Sequence, residues 1–256
     1  MALIHISIAS DPVCPWCYIG YRRLTQAIRL YRKTYPGGGQ DTIRITWKPY
    51  ILDPNASMES IPYIDRMTQK LGADKVAGAQ AHVLRLGRPD GIHFRFGGRI
   101  GSTIRAHQVI MLSELHDSER FNGDAATAAA EAGAGTAALV EALFEAHFER
   151  EEDITDVDTL VRLAVQAGSG LDARSVRSWL EEGRGVEEIT QEAQRARDGG
   201  IQGVPFFQFG DGDRQLTLSG GQEVAEFLQV LIAYKEGLDA TTPPNMGTGG
   251  CTEISC

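Results

Sequence analysis

Leu3-Ile4-His5-Ile6-Ser7-Ile8-Ala9-Ser10-Asp11-Pro12-Val13-Cys14-Pro15-Trp16-Cys17 carries the reading of this chain. From Leu3 to Ile8 the residues alternate, with Ile4, Ile6 and Ile8 on one face, as a half-buried strand requires. Past Cys17 the period changes. Leu24, Ala27, Ile28 and Tyr31 recur at i, i+3, i+4 and i+7, one stripe of an amphipathic helix. Pro15 suits the first helical position, where its missing N–H costs nothing and its fixed φ is already helical. Cys14 is therefore expected at the N-cap and Cys17 one turn in. A thiolate at an N-cap can accept hydrogen bonds from the Trp16 and Cys17 N–H groups and meets the positive end of the helix dipole. Both effects are expected to lower the Cys14 pKa below the ordinary thiol value of about 8.5. Cys14 is then the nucleophile, and Cys17 the resolving thiol that attacks a mixed disulfide formed on it.

Two other readings compete. A C-x-x-C pair can be half of a zinc site, but a structural site needs four ligands. The other cysteines, Cys251 and Cys256, are spaced unlike a second close pair, in a glycine-rich tail. Two inert core cysteines would be an odd use of a Pro-Trp insert at a helix start. Redox chemistry fits better than either.

At 256 residues the chain can bury a large core, as one domain or as one domain carrying another. Hydrophobic content of 42% and charged content of 23% are those of an ordinary globular protein. A net charge of −9 argues against nucleic acid or an anionic membrane as partner. No apolar run is long enough for a membrane span, and no leader pattern precedes the first strand, so a cytoplasmic location is expected.

A second strand is expected over 43–48, with Ile43, Ile45 and Trp47 on one face. Helical patterns then occupy about 59–199. They run near 61–71 (Pro62 in the first turn, Gly72 past the end), 74–86, 102–116 and 137–149. Another opens on a capping box at Thr155-Asp156-Val157-Asp158, one starts at Asp172, and one runs from Val186 to a stop at Gly199-Gly200. Residues 122–135, nearly all small or acidic, are read as a mobile loop or a frayed helix start. Strand character returns at Pro205 to Phe209 and Gln215 to Leu218 around a Gly210-Asp211-Gly212-Asp213 turn, and a last helix covers about 222–235. Strands at both ends with helices between imply one sheet built by the two ends, with the insert outside it. The expected units are 1–55 with 200–238, an inserted 56–199, and a tail over 239–256.

With C-x-x-C opening the first helix, this order resembles a thioredoxin fold, of α/β class, with a large all-helical insertion. The sequence is similar to the DsbA family and, within it, to FrnE-like disulfide oxidoreductases. The likeness rests on Ser10 to Gly20, Trp47-Lys48-Pro49-Tyr50-Ile51-Leu52-Asp53-Pro54, Ser102-Thr103-Ile104-Arg105-Ala106-His107, Gly200 to Phe207, and Ser219-Gly220-Gly221-Gln222. It implies a cis Val204-Pro205 facing the dithiol, with the Val204 backbone free to pair with a substrate chain. It also implies that His107 lines the insert's face toward the active site as a substrate contact, although His107 otherwise reads as a core or surface histidine. Trp16, expected exposed beside Cys14, is a further candidate substrate contact. The buried acid that thioredoxins carry six residues before the first cysteine is replaced by Ile8. Asp11 is then either a substitute proton acceptor or a solvated turn residue. Trp47 and Trp179 are read as core.

The function these features imply is thiol:disulfide exchange with protein or small-molecule thiols through Cys14 and Cys17. Cys251 and Cys256 are a candidate second dithiol on a flexible tail. No cofactor or metal is implied, and glutathione is a candidate redox partner. Kappa-class glutathione transferases and 2-hydroxychromene-2-carboxylate isomerases share the fold and insert, and are the main alternative. Those relatives carry serine at the first active-site position and lack the dithiol. A holdase using the insert's apolar surface is a third reading.

Overall fold

A computed structural model describes residues 2–120, 133–212 and 214–238. Its centre is a four-stranded sheet of β1 (Leu3–Ser10), β2 (Thr42–Pro49), β5 (Phe206–Phe209) and β6 (Leu216–Ser219), in the order β2-β1-β5-β6. β1 runs parallel to β2 and antiparallel to β5, with Ile8 opposite Trp47 on one side and Phe207 on the other. The two ends of the chain thus build one sheet. The central strand buries Ile4, Ile6 and Ile8 together, the alternating face expected of it.

Helix α1 (Pro15–Thr34) packs on this sheet with Leu24, Ala27, Ile28 and Tyr31 buried, and α9 (Val224–Glu236) lies beside it. Gly20 is the close approach in α1. A Cβ there would stand 3.0 Å from Pro205 Cγ and 3.1 Å from Phe207 Cζ, so only glycine lets the helix sit this near the start of β5.

Between β2 and β5 come α2 (Tyr63–Leu71), α3 (Ala73–Gly87), α4 (Ile104–Arg120), α5 (Ala134–Phe148), α6 (Val157–Gln166), α7 (Ala173–Glu181) and α8 (Val186–Asp198). The insertion also holds a short antiparallel pair, β3 (Ile61–Pro62) with β4 (Arg99–Ile100), so it is helical but not wholly so. Two-residue strands carry no period to read. Helix α2 accordingly starts at Tyr63, with Pro62 as its N-cap rather than in its first turn. Helix α6 is capped by Asp156, whose carboxylate accepts the Thr159 N–H, and not by Thr155, whose hydroxyl donates to Asp153. Most of the loop read at 122–135, and the whole tail with Cys251 and Cys256, lie outside the described residues.

The insertion and the sheet share one continuous core, running from Ile4 and Phe207 through Tyr18 to Phe144 and Phe148. Tyr18, directly after the C-x-x-C, stacks on Phe144 at 5.1 Å, and its hydroxyl donates to Glu149 at 2.6 Å. Arg23, one helical turn and a residue later, donates to the Asp90 carboxylate and to Gly221 O, both at 2.8 Å, tying α1 to the loop after α3. No helix among the described residues is long and apolar enough to cross a membrane.

Candidate active site

The chain leaves β1 at Ser10 and turns into α1 over four residues. Cys14 N–H donates to Asp11 O at 2.9 Å, and Cys14 is the extended N-cap with Pro15 beginning the helix. The Cys14 thiol does not cap the helix. The first-turn donors Cys17 N–H and Tyr18 N–H go to the Cys14 carbonyl, at 3.1 and 3.3 Å. Its Sγ donates instead to Val204 O at 3.6 Å, across 190 residues of sequence. Cys14 and Cys17 are both buried, 0% and 2% exposed. The Val204–Pro205 peptide is cis. The structure therefore brings Cys14, Cys17, Val204 and Pro205 to one place.

Trp16 joins them but is buried, 8% exposed, with its ring 5.8 Å from the His82 ring of α3. The exposed indole expected from sequence is covered by a helix more than sixty residues away. His107 is also fully buried: its Nε2 lies 3.2 Å from Tyr50 O, and burial pushes its pKa down to about 4. It is a neutral core side chain here, with no surface for a substrate.

Asp11 is the group that periodicity did not locate. It is 1% exposed, not a solvated turn residue. One carboxyl oxygen accepts Leu52 N–H at 2.8 Å and the other Val13 N–H at 3.4 Å. Desolvation outweighs these bonds and pushes its pKa up to about 6. The Thr103 hydroxyl lies close enough to favour the charged form but makes no well-formed hydrogen bond. A signal existed in the two motif blocks containing Leu52 and Thr103, but not in any spacing.

A match to the DSBA-like thioredoxin domain extends over residues 5–232. The chain belongs to the DSBA-like thioredoxin domain family. This family member is 26% identical over 212 residues to the uncharacterized protein YwbO of Bacillus subtilis, covering 81% of this chain and 88% of YwbO. Among solved structures, it is similar to the probable DsbA oxidoreductase SCO1869 of Streptomyces coelicolor, with 26% identity, a TM-score of 0.72, and coverage of 97% of this chain and 98% of that one. The cytosolic disulfide reductase DsbM of Pseudomonas aeruginosa shares the fold at 16% identity and a TM-score of 0.56, over 91% of this chain and 98% of DsbM. Membership rests on the domain match, and the FrnE-like subgroup stays a resemblance.

Proposed function

We propose that this protein is a thiol:disulfide oxidoreductase in which Cys14 is the nucleophile and Cys17 the resolving thiol. The observation that carries the reading is the placement of Cys14. It stands at the start of α1 with Sγ against Val204 O, and Cys17 follows in the first turn. Loss of the thiol proton gives a thiolate at the positive end of a twenty-residue helix. That thiolate attacks one sulfur of a substrate disulfide, forming Cys14–S–S–R and releasing RS⁻. Cys17 thiolate then attacks the Cys14 sulfur, leaving a Cys14–Cys17 disulfide and releasing the second RS⁻. The same steps in reverse oxidise a substrate dithiol. Both sulfurs are buried, so a substrate reaches Cys14 only when the groups over it part.

Protein thiols, low-molecular-weight thiols and glutathione all fit this chemistry as partners, and a cytoplasmic setting suits a reduced dithiol. Cys251 and Cys256 are proposed as a second dithiol that passes electrons to the first. The fold alone does not separate this activity from a glutathione transferase or isomerase. The pair of cysteines favours exchange over isomerisation, because exchange gives Cys17 a role as the resolving thiol. Insulin reduction and dithiol oxidation by the wild type, Cys14→Ser, and a chain ending before Cys251 test the reading. Activity is expected to vanish in Cys14→Ser and to slow on truncation. Full activity of Cys14→Ser would overturn the assignment, and an unchanged rate on truncation would remove the tail relay.

A further inference from the structure

A cavity of about 270 Å³ lies between the α2–α3 pair and the loop that carries the dithiol. Val13 and Pro15, the residues on either side of Cys14, line it. Helix α2 supplies an apolar stripe, Tyr63, Met67 and Leu71 at i, i+4 and i+8, of which only Tyr63 is buried. Such a stripe ordinarily packs on a core. Here it faces the cavity, across from Val13 and Leu52.

Two of the polar groups that line the cavity are buried. Asp11 and Thr103 are 1% and 3% exposed, and the Thr103 hydroxyl has no well-formed hydrogen bond. That hydroxyl lies against the Asp11 carboxyl without good geometry, so an acceptor on a ligand in the cavity competes for its proton. Asp53 and Glu59 offset Arg66 and Lys70, with Asp53 and Arg66 already paired, and Asp11 adds one negative charge above about pH 6, which disfavours an anionic ligand. Nothing in that set attracts an anion such as glutathione disulfide. A dry apolar cavity of about 150 Å³ takes benzene, so one of 270 Å³ accommodates about eleven non-hydrogen atoms.

We propose that this cavity binds the apolar body of a small, uncharged organic disulfide or thiol, with one hydrogen-bonding group on the Thr103 hydroxyl. The substrate class of the dithiol then includes neutral low-molecular-weight disulfides in preference to glutathione disulfide. The substrate half of this inference rests on the redox reading above; the binding half does not. The chemistry is the exchange already written: RS–SR takes two electrons from Cys14 and Cys17, two RS⁻ leave, and the protein ends as the disulfide.

Binding is read first, by calorimetric titration of full-length Cys14→Ser with 4-phenylpyridine, a neutral sulfur-free probe of about this size whose ring nitrogen accepts from Thr103. One-to-one binding is expected. It should weaken at least tenfold in Ala79→Trp, which fills the cavity from α3, and severalfold in Thr103→Val, which removes the hydroxyl without changing volume. Ala81→Trp, at an exposed α3 position outside the cavity, should bind as before. No binding to folded Cys14→Ser, or binding indifferent to both Ala79→Trp and Thr103→Val, would overturn the proposal. Turnover is read separately, as single-turnover oxidation of the reduced protein by 4,4′-dithiodipyridine and by glutathione disulfide, each relative to its rate with dithiothreitol. The normalised rate should favour the neutral disulfide at least tenfold, and Ala79→Trp should lower that ratio tenfold. Equal normalised rates would overturn the substrate class. Binding without reaction with either disulfide would uphold the ligand site and refute the redox reading.

Discussion

Asp11→Asn should change how the stability of the protein depends on pH. The folded protein holds the Asp11 proton up to about pH 6, against an ordinary carboxyl value of 3.8, because the group is buried. The unfolded chain releases that proton near its ordinary value, so between about pH 4 and 6 the folded state binds more protons than the unfolded one. Stability therefore falls as pH rises through this window and levels off above it. A displacement of about two units, at 1.36 kcal/mol each, costs the folded state about 3 kcal/mol at pH 8. About 2 kcal/mol of that is lost between pH 4.5 and pH 8. Asparagine stays neutral and can keep the Leu52 N–H bond through its carbonyl oxygen, at the expense of the weaker contact to Val13. Urea unfolding of the reduced protein at both pH values measures the effect. With a slope of about 3 kcal/mol/M, the midpoint difference between variant and wild type should move by roughly 0.7 M in the variant's favour from pH 4.5 to 8. Other titrating groups cancel in that comparison. Parallel pH profiles would refute the claim that a charged Asp11 is held at a cost beside the dithiol.

Other perturbations probe the surroundings of the site. Arg23→Met removes the cation paired with Asp90, whose side chain is only 6% exposed, and should cost about 3–5 kcal/mol in a denaturation midpoint. Adding Asp90→Asn should recover part of that loss. Gly20→Val drives side-chain atoms into Pro205 and Phe207, and should cost about 1–3 kcal/mol while slowing disulfide exchange by displacing the Val204 loop. Glu114, which accepts the Trp47 N–H at 2.6 Å on the edge strand, has its pKa pushed up to about 7 by burial. Glu114→Gln should therefore be stabilising at pH 8, with the gain disappearing by about pH 4 in the same urea series.

The parts of the fold legible in the sequence were those with a sustained period. Ile4, Ile6 and Ile8 alternate because β1 presents one face to the main core, and Leu24 to Tyr31 mark the buried stripe of α1. The Cys14 N-cap followed from Pro15 alone. What stayed hidden depended on distant partners. Asp11 is buried because Leu52 and Thr103 close over it, and Trp16 is covered because α3 brings His82 to its ring. The Cys14 side chain was expected on helix N–H groups, yet its own carbonyl takes them and the sulfur turns to Val204. The β3–β4 pair was too short to leave a pattern. The stripe on α2 was readable as a helix but not as a cavity wall, since a period says which face is apolar and not what it meets.

The division of labour between the two cysteines is tested most directly by trapping the intermediate. Reduced Cys17→Ser in a chain ending before Cys251, mixed with a disulfide substrate, should accumulate a mixed disulfide on Cys14, seen by mass spectrometry as one substrate half per chain. Cys14→Ser under the same conditions should carry none on Cys17. A mixed disulfide that forms on Cys17 in Cys14→Ser as fast as on Cys14 in Cys17→Ser, or on neither, would contradict the account.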